Sequence, residues 1–317
     1  MDVDLHLDRE IAEALAALPM GTMDFGTIEY DRLPGLRTTM NEARPPSPPT
    51  DVVHRDQQVP GAAGDPDVTL RIFTPPGART DRSVIYWIHG GGYMFGSALV
   101  SEPRLERWAA EFDCVIVSVE YRLAPESPYP GPLDDCYAGL AWTVEHATDL
   151  GIDPAGVVIG GASAGAGLAA ALALLARDRG DIPIAYQLLI YPMIDDRNVT
   201  PSSQIDRAPI WPRPANLLGW RAYLGERAGT DDVPAYAAPA RADDLQGLPP
   251  AWIGVGTLDV FRDEDITYAQ RLLQAGVPTE LHVYPGAPHG FEGITPATDV
   301  ARRCQRDIDD ALRRALA

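Results

Sequence analysis

Twenty consecutive residues, Val157 to Ala176 (VVIGGASAGAGLAAALALLA), carry no charge. A run of about 20 apolar residues is long enough to span a bilayer. Yet Gly160, Gly161, Gly165 and Gly167 crowd around a single hydroxyl, Ser163. Each interior glycine costs a helix about 1 kcal/mol relative to alanine. The first three residues are β-branched, and the last nine are alanine and leucine. The run therefore predicts a short buried strand, a tight turn at Ser163 and a buried helix, not a membrane span.

The rest of the chain continues that alternation. After two strand-like runs, DVVHRDQQV and DVTLRIFTP, strands are expected at 83–90, 114–119, 157–160, 184–191, 251–256 and 279–284. Helices are expected between them at 102–112, 133–148, 164–178 and 263–275, with a last one from about 298. In that last helix Val300, Cys304, Ile308 and Leu312 recur every fourth residue. Continuous apolar strands alternating with helices predict an α/β fold, with a mostly parallel central sheet covered on both faces. Reactive groups then belong just past the carboxyl ends of strands.

Two regions depart from the pattern. Leu7, Ile11, Leu15 and Leu18 predict an amphipathic helix ending before Pro19, and 30–43 a second short helix. The PPSPP run at 45–49 reads as a stiff linker. Residues 196–235 are irregular and proline-rich, as an inserted lid would be. The expected organisation is an N-terminal cap segment over 1–49, a catalytic core over 50–195 and 236–317, and a second cap segment over 196–235.

Charge narrows the partners. The 317 residues hold 45 acids and 26 bases, all of them arginine, for a net charge of −19. Such a surface repels phosphate backbones and anionic lipid, so neither nucleic acid nor membrane is an expected partner. Three cysteines (Cys114, Cys136, Cys304) with no metal spacing, and an acidic N-terminus, predict reduced thiols and a cytoplasmic protein.

The chemistry centres on Ser163. GASAG, residues 161–165, fits the G-x-S-x-G elbow in its required strand–turn–helix setting. HGGG, residues 89–92, follows a predicted strand, and bare backbone there suits amide donors aimed at a developing oxyanion. Gly91, Gly92 and Ala164 are the candidate donors, with His89 holding the loop. A serine hydroxyl needs a base, and the base needs a carboxylate. Among six histidines, His6 and His54 lie in peripheral segments, His146 in a helix and His282 within a strand. His289 lies in the glycine-flanked loop PGAPHGFEG after a strand, and Asp259 follows the preceding one. Asp195 and Asp196, just after strand 184–191, are the alternative acids. Asp263 and Glu264 read as first-turn helix residues favoured by the helix dipole.

The chain resembles the bacterial hormone-sensitive lipase family of α/β-hydrolases over roughly 65–317. The resemblance rests on HGGGY at 89–93, YRLAPE at 121–126, GASAG at 161–165, YP at 191–192, GTLDVFRDED at 256–265 and YPGAPHGF at 284–291. It implies a serine carboxylesterase with an N-terminal cap, no cofactor, and a homodimer built through the last strand and helix. Ala162 departs from the Asp, Glu or Thr usual before the family's serine. Arg122 and Glu126 are read as structural, since the usual role of buried charges is to be paired. The expected activity is hydrolysis of small-molecule carboxylic esters with short to medium acyl chains, through an acyl-enzyme on Ser163. Amide, carbamate or lactone hydrolysis on the same triad is the nearest alternative, and a non-catalytic ligand-binding protein the more distant one. Tyr93, Phe25, Trp211 and Trp220 are candidate substrate-binding residues, with Met20, Met23 and Tyr223 as further apolar candidates in the caps.

Overall fold

The computed structural model of the protein describes residues 6–18, 28–42 and 50–317. Met20, Met23, Phe25 and the PPSPP linker lie outside the described residues. Strands β1 (Val53–Val59), β2 (Val68–Thr74), β3 (Arg82–Ile88), β4 (Val115–Glu120), β5 (Ile152–Ala162), β6 (Tyr186–Ile190), β7 (Ala251–Gly256) and β8 (Thr279–Tyr284) form one sheet, in the order β1-β2-β4-β3-β5-β6-β7-β8. β1–β2 and β2–β4 pair antiparallel. All other neighbours pair parallel. β3, β4 and β7 are buried along nearly their whole length, as two-sided covering requires of apolar runs.

Helices cover both faces. α3 (Glu102–Phe112) and α10 (Asp299–Ala315) share one core with Trp87, Ile116, Leu188 and Trp252. The stripe α10 buries is Ala301, Cys304, Ile308, Ala311 and Leu312, with Val300 only partly buried. On the other face α4 (Gly131–Glu145), α6 (Ala164–Arg179) and α8 (Arg262–Gln274) pack with Leu70, Tyr86, Val117 and Ile159. α6 is buried all round from Ala164 to Ala176. That is why the opening run has no polar face: a helix apolar on every side belongs inside a protein or a bilayer. No helix among the described residues is long and apolar enough to cross a membrane.

Most boundaries shift by one or two residues from the sequence reading, and two differ for a reason the structure shows. β5 begins at Ile152 rather than 157 because Ile152 already pairs with Arg82, ahead of a register irregularity before Val84↔Val157. Asp153, Pro154 and Ala155 between them are exposed, so no apolar periodicity marks that part of the strand. The helix expected over 133–148 breaks at His146, with α5 (Ala147–Leu150) following. The His146 ring stacks on Trp142 at 4.2 Å, and its Nδ1 lies 2.9 Å from the Trp142 carbonyl.

The N-terminal helices find separate partners. α1 (Arg9–Ala17) buries Ile11 beside Tyr284 and Phe291, and the Asp8 amide donates to the Gly286 carbonyl at 3.0 Å. A 3-10 turn, Tyr30–Arg32, leads into α2 (Leu33–Glu42). From α2, Arg37 donates to the carbonyls of Met94 (2.7 Å) and Ala124 (2.8 Å) and grips Glu126 through two 2.9 Å bonds. The 60-residue crossing from β6 to β7 carries α7 (Arg213–Leu224) and short 3-10 turns. Buried Asp196 ties this crossing together, pairing with Arg241 and accepting the Gly229 amide at 2.7 Å. Cys114, Cys136 and Cys304 are free and buried.

Candidate active site

Ser163 sits between the end of β5 and the start of α6 with φ 57° and ψ −124°. A non-glycine residue held in so sparsely populated a region costs on the order of 1–3 kcal/mol and persists only where the surroundings dictate it. They do so here: the Ser163 amide donates to the Ile190 carbonyl, and its carbonyl accepts from Gly167 and Met193. Gly165 lets α6 cross β3 closely, because a Cβ there would stand 2.1 Å from the Ile88 carbonyl oxygen and 2.4 Å from that of His89. The turn thus lifts the hydroxyl off the sheet edge.

Asp259 follows β7, and His289 follows β8. His289 Nε2 lies 2.9 Å from Ser163 Oγ, and its Nδ1 2.7 Å from Asp259 Oδ2. Asp259 is fully buried, and its Oδ1 accepts the Phe261 amide at 3.0 Å. The alternative acids are engaged elsewhere: Asp195 by the Arg197 guanidinium at 2.7 and 2.8 Å, and Asp196 by Arg241.

The ring of His289 is held by groups the sequence reading did not single out. Tyr191 and Phe261 meet it edge-on at 4.6 and 5.1 Å. The Tyr191 hydroxyl donates to Glu292 Oε2 at 2.7 Å, and Arg104 pairs with the other oxygen. Burial, reinforced by the Glu292 charge, holds the Tyr191 phenol well above its usual range, so it stays a donor. The signals were there, in the YP pair and the Glu292 of HGFEG, but nothing in one sequence joins residues 104, 191 and 292.

The HGGG loop lies against the elbow: a Cβ on Gly90 would stand 3.3 Å from Ser163 Cβ. Among the described residues, no carbonyl or side-chain acceptor takes up the amides of Gly91, Gly92 or Ala164. His89 is fully buried, stacks on Tyr121 at 4.2 Å and contacts the Gly90 carbonyl through Nδ1 at 2.9 Å. Burial lowers its imidazole to about 4, so it is neutral near pH 7. The YRLAPE charges are paired. Arg122 grips Asp135 at 2.7 and 2.8 Å, and Glu126 binds Arg37.

The substrate-side candidates separate. Trp211 lies over the site, 6.3 Å from the His289 ring, and a Cβ on Gly92 would stand 2.2 Å from its indole. Tyr93 and Trp220 do not line an opening. Tyr93 stacks on Tyr223 at 4.0 Å, packs against Trp220 at 5.4 Å and donates to the Met193 carbonyl, with both candidates 1% exposed. Aromatic area between cap and body outweighs exposure to a ligand there. Phe25 is outside the described residues. Glu264 lies in the first turn of α8, as expected, but it is buried. It points inward and accepts the amides of Ile194 and Asp195, and burial pushes its carboxyl well above the carboxylate range.

His54, Glu102 and Glu106 are the metal-ligand grouping among the described residues, with ligand atoms within 4.8 Å of one another. They sit on β1 and α3, not at the strand ends that carry Ser163, and Arg71 already binds Glu102 at 2.8 Å.

The profile of a family described as alpha/beta hydrolase fold matches residues 85–293. "Carboxylesterase NlhH" of Mycobacterium tuberculosis is 36% identical over 264 residues, 82% of each chain. "Esterase LipI" of the same organism is 37% identical over 252 residues, 78% of each chain. The solved "Bacterial Heroin Esterase" superposes with a TM-score of 0.91 at 42% identity, over 98% of both chains. The chain belongs to the hormone-sensitive-lipase-like carboxylesterases of the α/β-hydrolase fold.

Proposed function

We propose that this carboxylesterase works through an acyl-enzyme on Ser163, with His289 as general base and acid, Asp259 as the group orienting it, and Gly91, Gly92 and Ala164 as the oxyanion donors. The observation that carries this is the chain of two short contacts, 2.9 Å from Ser163 Oγ to His289 Nε2 and 2.7 Å from His289 Nδ1 to Asp259 Oδ2. His289 Nε2 takes the serine proton as Oγ attacks the ester carbonyl, and the carbonyl oxygen becomes an oxyanion facing the amides. Collapse breaks the bond to the alcohol oxygen, which receives that proton from His289. Water then enters, gives a proton to His289 and attacks the acyl carbon. The carboxylic acid leaves as Oγ takes the proton back. Asp259 keeps the proton on Nδ1 throughout and stabilises the imidazolium without becoming protonated itself.

The preferred substrates are small carboxylic esters with short to medium acyl chains. Trp211 over Gly92 and the aromatic packing beneath α7 favour a closed pocket over a broad apolar face for an oil droplet. Rapid mixing with a chromogenic acetate or butyrate tests the reading. A burst of one alcohol per chain is expected, and Ser163→Ala should lower kcat by about 10⁶-fold. Steady release without a burst would leave the acyl-enzyme unsupported only if Ser163→Ala also kept its activity, and that pair of results would end the proposal.

A further inference from the structure

Pro209, Ile210, Trp211 and Pro212 lie in the crossing between β6 and β7, and their backbone is unusual. The Trp211 amide donates to the Pro209 carbonyl at 2.8 Å, and Ile210 between them has φ 71°. A hydrogen bond across two residues around a positive φ is the rare, strained form of γ-turn. Isoleucine suits it poorly, because a β-branched side chain at positive φ is a steric outlier. The flanking prolines and the Trp211 anchor hold the turn. The indole rests on Gly92, contacts Gly219 (3.5 Å from a Cβ placed there), and has its Nε1 3.5 Å from buried Asn216 Oδ1.

A glycine would close the same turn without strain. Isoleucine adds a side chain, and that side chain faces the histidine loop. Ile210 Cγ2 is 4.0 Å, and Ile294 Cδ1 3.1 Å, from the point where a Cβ on Gly290 would stand. Tyr191 and Phe261 close the inner edges of the His289 ring. The half-buried Gly290, Ile210 and Ile294 border its loop on the outer side.

We infer that Ile210 is a specificity-determining residue for the alcohol portion of the ester, limiting branching at the carbon attached to the leaving oxygen. The inference rests on the mechanism proposed above. His289 must pass its proton to the leaving oxygen, so that oxygen comes within about 3 Å of Nε2. The acyl oxygen points the other way, toward Gly91, Gly92 and Ala164. The alcohol's substituents therefore fan out beside the His289 loop, where Ile210 stands. Ethyl and similar unbranched primary alcohols fit this border, and secondary or tertiary alcohols meet the Ile210 branch.

The test compares ethyl and isopropyl butyrate, which share an acyl group, in the parent, Ile210→Ala and Ile210→Gly. The isopropyl-to-ethyl ratio of kcat/KM should rise on the order of tenfold in both variants, the usual scale for one methyl group in a pocket. The gain should fall on acylation. Deacylation, read as kcat for an ester that gives a burst, occurs after the alcohol has left and should not share it. Ile210→Gly suits the turn, so its Tm should not fall below that of Ile210→Ala, and it keeps the test readable if the alanine variant fails to fold. A ratio unchanged within about twofold in a folded variant would overturn the inference. So would an equal shift across methyl esters of increasing acyl length, which would make Ile210 an acyl-side wall. Failure of the underlying mechanism shows separately, as activity retained in Ser163→Ala.

Discussion

At the scale of single residues, two carboxylates compete for the role of acid, and geometry distinguishes them by partner. Asp259 reaches His289 Nδ1 at 2.7 Å, while Asp195 is spent on Arg197. Asp259→Asn should keep the fold but favour the wrong imidazole tautomer, lowering kcat by about 10⁴-fold. Asp195→Asn should change kcat by less than about tenfold, a barrier shift of roughly 1.4 kcal/mol. Steady-state kinetics of both variants on one soluble ester, with native melting checked, decides between them. His89 makes a second prediction, about stability. Its pKa falls from 6.5 to about 4 on folding because burial disfavours the charged ring. Below pH 6.5 the unfolded chain takes up a proton that the folded one refuses. This contribution is therefore whole above pH 6.5 and is lost as pH falls toward 4. His89→Gln should flatten Tm against pH across that window, and an unchanged acid limb would count against it.

At the scale of elements, legibility followed chemistry that is local in the chain. The elbow could be read because strand, turn and helix are contiguous and the glycines at 161 and 165 have a steric reason to be there. β7 and α3 could be read at their observed limits because uniform burial leaves an unbroken apolar run in the strand and a clean stripe on the helix. The start of β5 was missed because its first residues are exposed and pair through an irregular register. Tyr93 and Trp220 pack against other rings rather than toward an opening, and an aromatic residue has the same sequence signature in either setting. Arg37 belongs to the same class, since its partners Met94, Ala124 and Glu126 lie 57 or more positions away. It ties α2 to Met94, just past the HGGG loop, and to the YRLAPE segment. Arg37→Ala leaves two carbonyls and a carboxylate without their shared donor. It should lower kcat/KM several-fold and expose residues 28–42 to limited proteolysis before the core unfolds. Equal protection of that segment in parent and variant would show that Arg37 does not hold the cap.

At the scale of the whole molecule, β8 is the last strand of the sheet, and among the described residues no strand pairs with its outer edge. Val283 on that strand is 38% exposed, Glu280 pairs with Arg314 of α10, and His282 contacts Glu280 at 2.6 Å and Asp307 at 3.4 Å. Edges of this kind are commonly covered, and pairing β8 with its twin would do so symmetrically. Light scattering at micromolar concentration should report a dimer, and a monomer alone would contradict this. A net charge of −19 repels anionic surfaces. All of this serves one hydroxyl, and its chemistry can be observed directly. An ester with a slowly deacylating acyl group, mixed with the protein, quenched in acid and digested at arginine, should leave one acyl group per chain. The account places that mass on the peptide spanning residues 123–177, with fragmentation assigning it to Ser163. Continued turnover with no acyl mass on Ser163, or the acyl group on another residue, would contradict it.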